Sequence, residues 1–212
     1  MSQPPRRHLI VMAKAPRLGR VKTRLAADVG AVGAWNFYRR NLAAVTRRLG
    51  ADRRWRTHLG VSPDESALVA ALWPAALPRL GQGTGDLGAR MARLLDAMPP
   101  GPAVLVGADI PGIRPDHIWA AFRALGRADA VFGPADDGGY WLVGLKRRPA
   151  PADLFRGVRW SSPDALADTL ANLPAHWRVE RAATLSDVDD GAALSALGSD
   201  ALSPLGTGAG TG

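Results

Sequence analysis

The apolar positions of this chain fall into two alternating patterns, short unbroken runs and longer stretches in which large residues recur every three or four places. His8-Leu-Ile-Val-Met-Ala13 is of the first kind, with arginines before it and Lys-Ala-Pro after it. A continuous, β-branched run of that length reads as a strand buried on both faces, and it is expected to be the first central strand. Trp35, Tyr38, Leu42, Val45 and Leu49 are of the second kind, with Arg39, Arg40, Arg47 and Arg48 largely off their seam and Gly50 following, which predicts an amphipathic helix and its stop. A second strand is expected at Trp55-Arg-Thr-His-Leu-Gly-Val61. Ser62-Pro63-Asp64-Glu65 then offers a cap, a first-turn proline and a capping-box acid for a helix through Leu68, Val69 and Leu72.

Residues 73–85, rich in glycine and proline, read as an irregular connection. Beyond them Leu87, Met91, Leu94, Leu95 and Met98 mark a helix ended by Pro99-Pro100, and residues 103–108 form another uniformly apolar strand. Pro115-Asp116 opens a helix using Ile118, Phe122 and Leu125. Residues 130–132 and 140–145 read as two strands joined through Asp136-Asp-Gly-Gly139. Ser161-Ser-Pro-Asp164 starts a helix through Leu166, Leu170 and Leu173, an edge strand is expected at 178–182, and a last helix covers 192–197. Strands alternating with helices imply an α/β fold with a mostly parallel central sheet, helices on both faces, and sites at the carboxyl ends of the strands.

Composition sharpens this picture in three ways. With 212 residues, 47% of them apolar, the chain can bury a core, and one domain over 1–202 followed by a flexible Gly-rich tail at 203–212 is expected. Having no cysteine, it can have no disulfide scaffold, thiolate metal site or cysteine nucleophile. No apolar run approaches the length of a membrane span, and residues 9–13 are too short for a signal peptide, so a cytoplasmic protein is expected. The net charge of +8 is unevenly placed: residues 1–60 carry 14 basic and 2 acidic groups, against 13 and 17 in the rest. The amino-terminal part expects an anion.

Five of those cations, Lys14, Arg17, Arg20, Lys22 and Arg24, lie in the segment that follows the first strand, around Pro16 and Gly19. Cations on flexible stems and free backbone N–H groups at a strand-to-helix turn suit a phosphate chain, and a solvated basic loop is the plain alternative. The segment is not a Walker A loop, because Val21 stands where a glycine must precede Lys22-Thr23. Asp109 ends the strand at 103–108, and a lone carboxylate there suits a hard cation such as Mg²⁺; Asp116 is better placed to cap the next helix. Asp136-Asp137-Gly138-Gly139-Tyr140 is either a substrate loop or a tight hairpin. In Asp187-Val-Asp-Asp190, Asp189 is expected to face the cleft while Asp187 or Asp190 serves locally, for instance as a helix cap. The four histidines share no ligand spacing, which argues against zinc.

These segments, in order, resemble a known family. Leu9-Ile-Val-Met-Ala-Lys-Ala-Pro, Gly19-Arg-Val-Lys-Thr-Arg-Leu25, Gly85-Asp-Leu-Gly-Ala-Arg-Met91, Gly107-Ala-Asp-Ile-Pro-Gly112, Gly133-Pro-Ala-Asp-Asp-Gly-Gly-Tyr140, Trp160-Ser-Ser-Pro163 and Asp187-Val-Asp189 look like the bacterial GT-A-type glycosyltransferases also called radical-SAM/selenodomain-associated transferases. More distantly the chain is similar to 2-phospholactate and molybdenum-cofactor guanylyltransferases. The resemblance implies a Rossmann-like nucleotide-diphospho-sugar transferase (GT-A) fold. It implies Lys14, Arg17, Lys22 and Arg24 on nucleotide phosphates, Asp109 and Lys22 in catalysis, and Asp109 and Asp189 as ligands of Mg²⁺ or Mn²⁺. Ala108-Asp-Ile-Pro111 stands where the family commonly has Ser-Asp-Cys-Pro, a change that spares the carboxylate.

The expected activity is thus metal-dependent transfer from a nucleotide-activated donor, a nucleotide sugar first, to an acceptor the sequence does not name. Nucleotidyl transfer with release of pyrophosphate is the alternative. A non-enzymatic anion or RNA binder is a remoter one, because Trp35, Tyr38 and Trp55 fall on core-facing positions of the basic third.

Overall fold

The computed structural model describes residues 7–73, 77–146 and 153–197, and the tail at 203–212 lies outside them. Seven strands form one sheet in the order β3-β2-β1-β4-β6-β5-β7: β1 (His8–Lys14), β2 (Arg56–Ser62), β3 (Arg79–Gly81), β4 (Ala103–Gly107), β5 (Ala130–Pro134), β6 (Tyr140–Leu145) and β7 (Val179–Arg181). The first four run parallel, β6 is antiparallel to both neighbours, and β5 pairs in parallel with β7 at the edge. The sheet is mostly parallel, as expected, with a hairpin set into it.

Strand alternation divides the core. Leu9, Val11, Val104 and Val106 face one side, where they pack with Tyr38, Leu42, Val45 and Leu49 of α1 (Thr23–Gly50) and Ile118 and Phe122 of α3 (Pro115–Ala124). Ile10, Leu105, Phe132 and Val143 face the other, against Met91, Leu94 and Leu95 of α2 (Leu87–Asp96) and the partly buried Leu166 and Leu170 of α4 (Ala165–Ala171). A third, smaller cluster joins Leu25, Ala34 and Phe37 of α1 to Val188 and to Leu194 of α5 (Gly191–Ala196).

Three expectations need correction. The segment after Ser62 is not an α-helix: two short 3₁₀ turns, Asp64–Leu68 and Ala70–Leu72, replace it. Ser62 is spent on the sheet, its carbonyl accepting from Ala15, and the Asp64 carboxylate accepts from Gly83 N–H instead of capping its own turn. Leu68 and Val69 stay exposed, so the apolar spacing had no surface to cover. Second, the irregular connection contains β3, a three-residue edge strand paired with Leu59, Gly60 and Val61, too short to show a period. Third, Asp116 does not cap α3. Arg114 holds the N-cap position, its N–H donating to His117 Nδ1, and Asp116 lies exposed in the first turn.

Candidate active site

The carboxyl ends of β1 and β4 open into a cavity of about 710 Å³, within the range of small-molecule sites. Lys14 closes β1, and its backbone is fixed by the buried Tyr38 hydroxyl, which accepts from Lys14 N–H and donates to its carbonyl, both at 2.9 Å. Burial pushes the Tyr38 phenol well above its ordinary range. Asp109 follows β4 by two residues. The intervening Ala108 extends the ladder to Met12, and its carbonyl accepts from Asn41 Nδ2 at 2.8 Å, so the loop that presents Asp109 is tied to β1 and α1.

Lys22 occupies the turn into α1 with a left-handed backbone, φ +47 and ψ +50, a conformation that costs a non-glycine residue about 1–3 kcal/mol. Its side chain is only 5% exposed, and Nζ lies 2.7 Å from Asp189, 3.4 Å from Asp109 and 3.9 Å from Asp187. Burial alone would favour the neutral amine, but Asp109, Asp189 and Asp187 outweigh it and hold the ammonium above the ordinary lysine range. Arg24 Nη1 adds a longer contact to Asp189 at 3.4 Å.

Asp109, Asp187 and Asp189 each offer a carboxylate oxygen within 4.8 Å of the other two. The tertiary reason is Val188, which is 2% exposed in the cluster with Leu25 and Phe37; burying it leaves Asp187 and Asp189, one place to either side, to the cavity. Burial and the Asp189 charge push Asp187 up to about 6 despite Lys22. For Asp189 burial is outweighed by the Lys22 hydrogen bond and by the Lys22 and Arg24 charges, and its carboxyl is held down.

The residues singled out in the sequence divide as follows. Lys14, Lys22, Arg24, Asp109 and Asp189 all line the cavity. Arg17 does not: with Arg20 and Lys14 it lines a neighbouring depression of about 240 Å³, and it lies 3.9 Å from Glu65. Of the β5–β6 turn, Asp137, Gly139 and Tyr140 reach the cavity. Asp136 instead accepts from the Ser186 hydroxyl, next to Asp187, and Gly138, at φ +83, closes so tightly on Pro163 that a Cβ would meet its backbone. Asp190 is local, capping α5 through Ala193 N–H at 2.8 Å. Of the two aspartates expected to share the local role, Asp190 takes it, and Asp187 joins Asp189 at the cavity. The signal that could have found it is the apolar residue flanked by two aspartates.

Tyr38 and Trp55 are buried, and Trp35 donates to the Pro16 carbonyl while Arg39 covers its face. None of these aromatics is offered to a nucleic-acid base. No helix among the described residues is long and apolar enough to cross a membrane.

Comparison with known proteins gives the family and the fold. Residues 45–162, more than half of the chain, match the family described as uncharacterized protein conserved in bacteria (DUF2064). No curated protein matches the sequence. A protein from Desulfovibrio desulfuricans G20, provisionally described as a nucleotide-diphospho-sugar transferase, superposes with a TM-score of 0.82 at 28% identity, over 90% of this chain and 85% of its own. CMP:2-keto-3-deoxy-manno-octonic acid synthetase complexed with CTP gives 0.57 at 12% identity, over 91% and 96%. Glucosyl-3-phosphoglycerate synthase from Mycobacterium tuberculosis, in complex with Mn²⁺, UDP and glucosyl-3-phosphoglycerate, gives 0.51 at 10% identity, over 93% and 76%. The fold is that of the nucleotide-diphospho-sugar transferases, and the chain belongs to the DUF2064 family.

Proposed function

We propose that this DUF2064 protein is a divalent-cation-dependent transferase that draws on a nucleotide-activated donor, a nucleotide sugar in the first reading. The observation that carries it is the meeting, in one cavity, of the Asp109–Asp187–Asp189 cluster with the cationic start of α1. Three hard oxygen donors suit Mg²⁺ or Mn²⁺, and the same carboxylates already surround the Lys22 ammonium. A divalent ion there would neutralise charge on a leaving diphosphate. The chain's own residues supply the rest of the cradle. Lys14, Lys22 and Arg24 bind phosphate oxygens, the amino end of α1 turns its dipole toward them, and Tyr38 keeps the Lys14 backbone in place. Such a site works by positioning and electrostatics. The Mn²⁺ and UDP complex of glucosyl-3-phosphoglycerate synthase is a precedent on this fold.

Nucleotidyl transfer is the second reading, favoured by Lys14, Lys22 and Arg24, three cations of one short segment that line the cavity, and by the CTP complex of a protein of the same fold. The 28% identical Desulfovibrio protein supports ranking it second.

Thermal melts with nucleoside di- and triphosphates and nucleotide sugars, each with and without Mn²⁺, test the proposal. A ligand at 100 times its Kd adds about 2.7 kcal/mol. The expected result is a Mn²⁺-dependent rise for one nucleotide that Asp109→Asn removes while its own metal-free melt stays native-like. Release of nucleoside diphosphate supports the first reading and release of pyrophosphate the second. A protein stabilised by no nucleotide, yet binding polynucleotide with a steep salt dependence, would overturn both.

A further inference from the structure

Two motifs of the sequence have no part in the cation and phosphate site: Gly85-Asp-Leu-Gly-Ala-Arg-Met91 and Trp160-Ser-Ser-Pro163. The fold brings them together. Both line the cavity, and α2 and α4 pack on the face of the sheet opposite α1. The Trp160 ring lies so close to α2 that a Cβ on Gly88 would stand 2.9 Å from it and 2.6 Å from the Phe155 Cβ, so glycine at 88 is what lets the indole seat there. Tyr140 and Phe155 pack against the same ring at 6.3 and 6.2 Å between centroids.

This wall is built firmly and left incomplete. Arg159 bridges Asp164 and Asp168 at 2.7 and 2.8 Å and accepts the Ser162 hydroxyl at its carbonyl, which fixes the turn carrying Trp160 and Ser161. Ser161 is held left-handed at φ +58, a conformation that clusters at ligand sites. The Trp160 Nε1–H has no acceptor among the described residues although it is buried, and a buried donor of that kind asks for an explanation. Two arginines of α2 differ in the same sense. Arg93 spends its guanidinium on the Gln82 and Thr84 carbonyls. Arg90, at the cavity, uses only Nε, to the Gly85 carbonyl at 3.0 Å, and pairs with no carboxylate among the described residues.

We infer that the α2–α4 wall is the acceptor subsite and that the acceptor carries an acidic group, phosphate or carboxylate, held by Arg90 with its hydroxyl-bearing chain against Trp160. This rests on the transferase reading above. An unpaired planar guanidinium recognises such oxyanions through paired N–H bonds, while an aromatic ring in the cavity wall suits the apolar side of a polyol.

Binding of glycerol 3-phosphate, glycerate and glycerol to the full chain, measured calorimetrically with Mn²⁺ and the nucleoside diphosphate that stabilises it best, tests the inference. Both acids should bind at least tenfold tighter than glycerol. Arg90→Met should remove that preference, Arg90→Lys should restore part of it, and neither should change the nucleotide-induced thermal shift. Acids that bind no tighter than glycerol would overturn the acidic-acceptor assignment with the nucleotide site intact. Loss of nucleotide affinity in Arg90→Met equal to the loss for the acids would give this wall to the donor instead. If no nucleotide shifts the wild-type melt, the transferase reading fails and takes the subsite with it, an outcome the same melts separate from the other two.

Discussion

At the amino end of β1, His8 lies with Nδ1 3.2 Å from Nε2 of His58 on β2, both rings nearly sealed from solvent. Beyond its carboxyl end, a lysine and three aspartates crowd within a few ångströms of one another. Ionisable groups thus gather near both ends of β1, and the fold treats them in opposite ways. Burial first, then the charges of His8 and Arg56, push His58 down to about 4, so the His58 ring stays neutral and packed. The other end stays charged because Lys22 and the carboxylates compensate one another, and the carboxylates keep 40–43% exposure to the cavity. Neutralised groups stabilise a fold. A compensated cluster open to solvent can exchange one cation for another.

Lys22→Met should break the comparison most severely. Turnover should fall by about 10²–10³-fold, the usual cost of a lost charge-stabilising donor. Mn²⁺ should bind more tightly, since three carboxylates lose their resident ammonium. The metal-free protein should lose less than the about 3–5 kcal/mol of a fully buried pair, given the exposure of the acids, and Mn²⁺ should restore it. Isothermal titration and melts read both effects, and Mn²⁺ affinity unchanged or weakened would show that the ammonium and the metal do not share the cluster.

The histidine end should respond to acid and not to metal. The unfolded chain takes up a proton near pH 6.5 that folded His58 refuses until about 4. The stability it contributes is present above pH 6.5 and drains as the pH falls toward 4, by about 3 kcal/mol in all. Urea denaturation between pH 7.5 and 4.5 should show that slope, and His58→Gln, which keeps a hydrogen-bonding group beside His8 without titrating, should flatten it. An unchanged slope in the variant would place the acid sensitivity elsewhere.

The smallest effect separates two adjacent aspartates. Asp190→Ala removes the α5 cap and should cost about 1 kcal/mol, while Mn²⁺ affinity stays near the wild-type value. A loss of metal binding comparable to that in Asp189→Ala would mean that the cap, and not the burial of Val188, aims the acidic segment.

The residues of β1 and β4 announced themselves because a strand buried on both faces must be apolar throughout, and both appear as read. The α1 seam did so through its three-and-four spacing, and the cationic loop and Asp109 through their place after buried strands. Periodicity could not report β3, which has three residues, nor warn that Leu68 and Val69 would find nothing to pack against. Local chemistry showed that carboxylates lay at 109 and 187–190. Which of them share one cation was decided by contacts 87 and 167 residues apart in the chain, and by one valine whose burial turns its neighbours toward the cavity. The approach of Gly88 to Trp160 is of the same kind. Sequence determines such features only through the whole packing, because nothing within a few residues of either position requires the other.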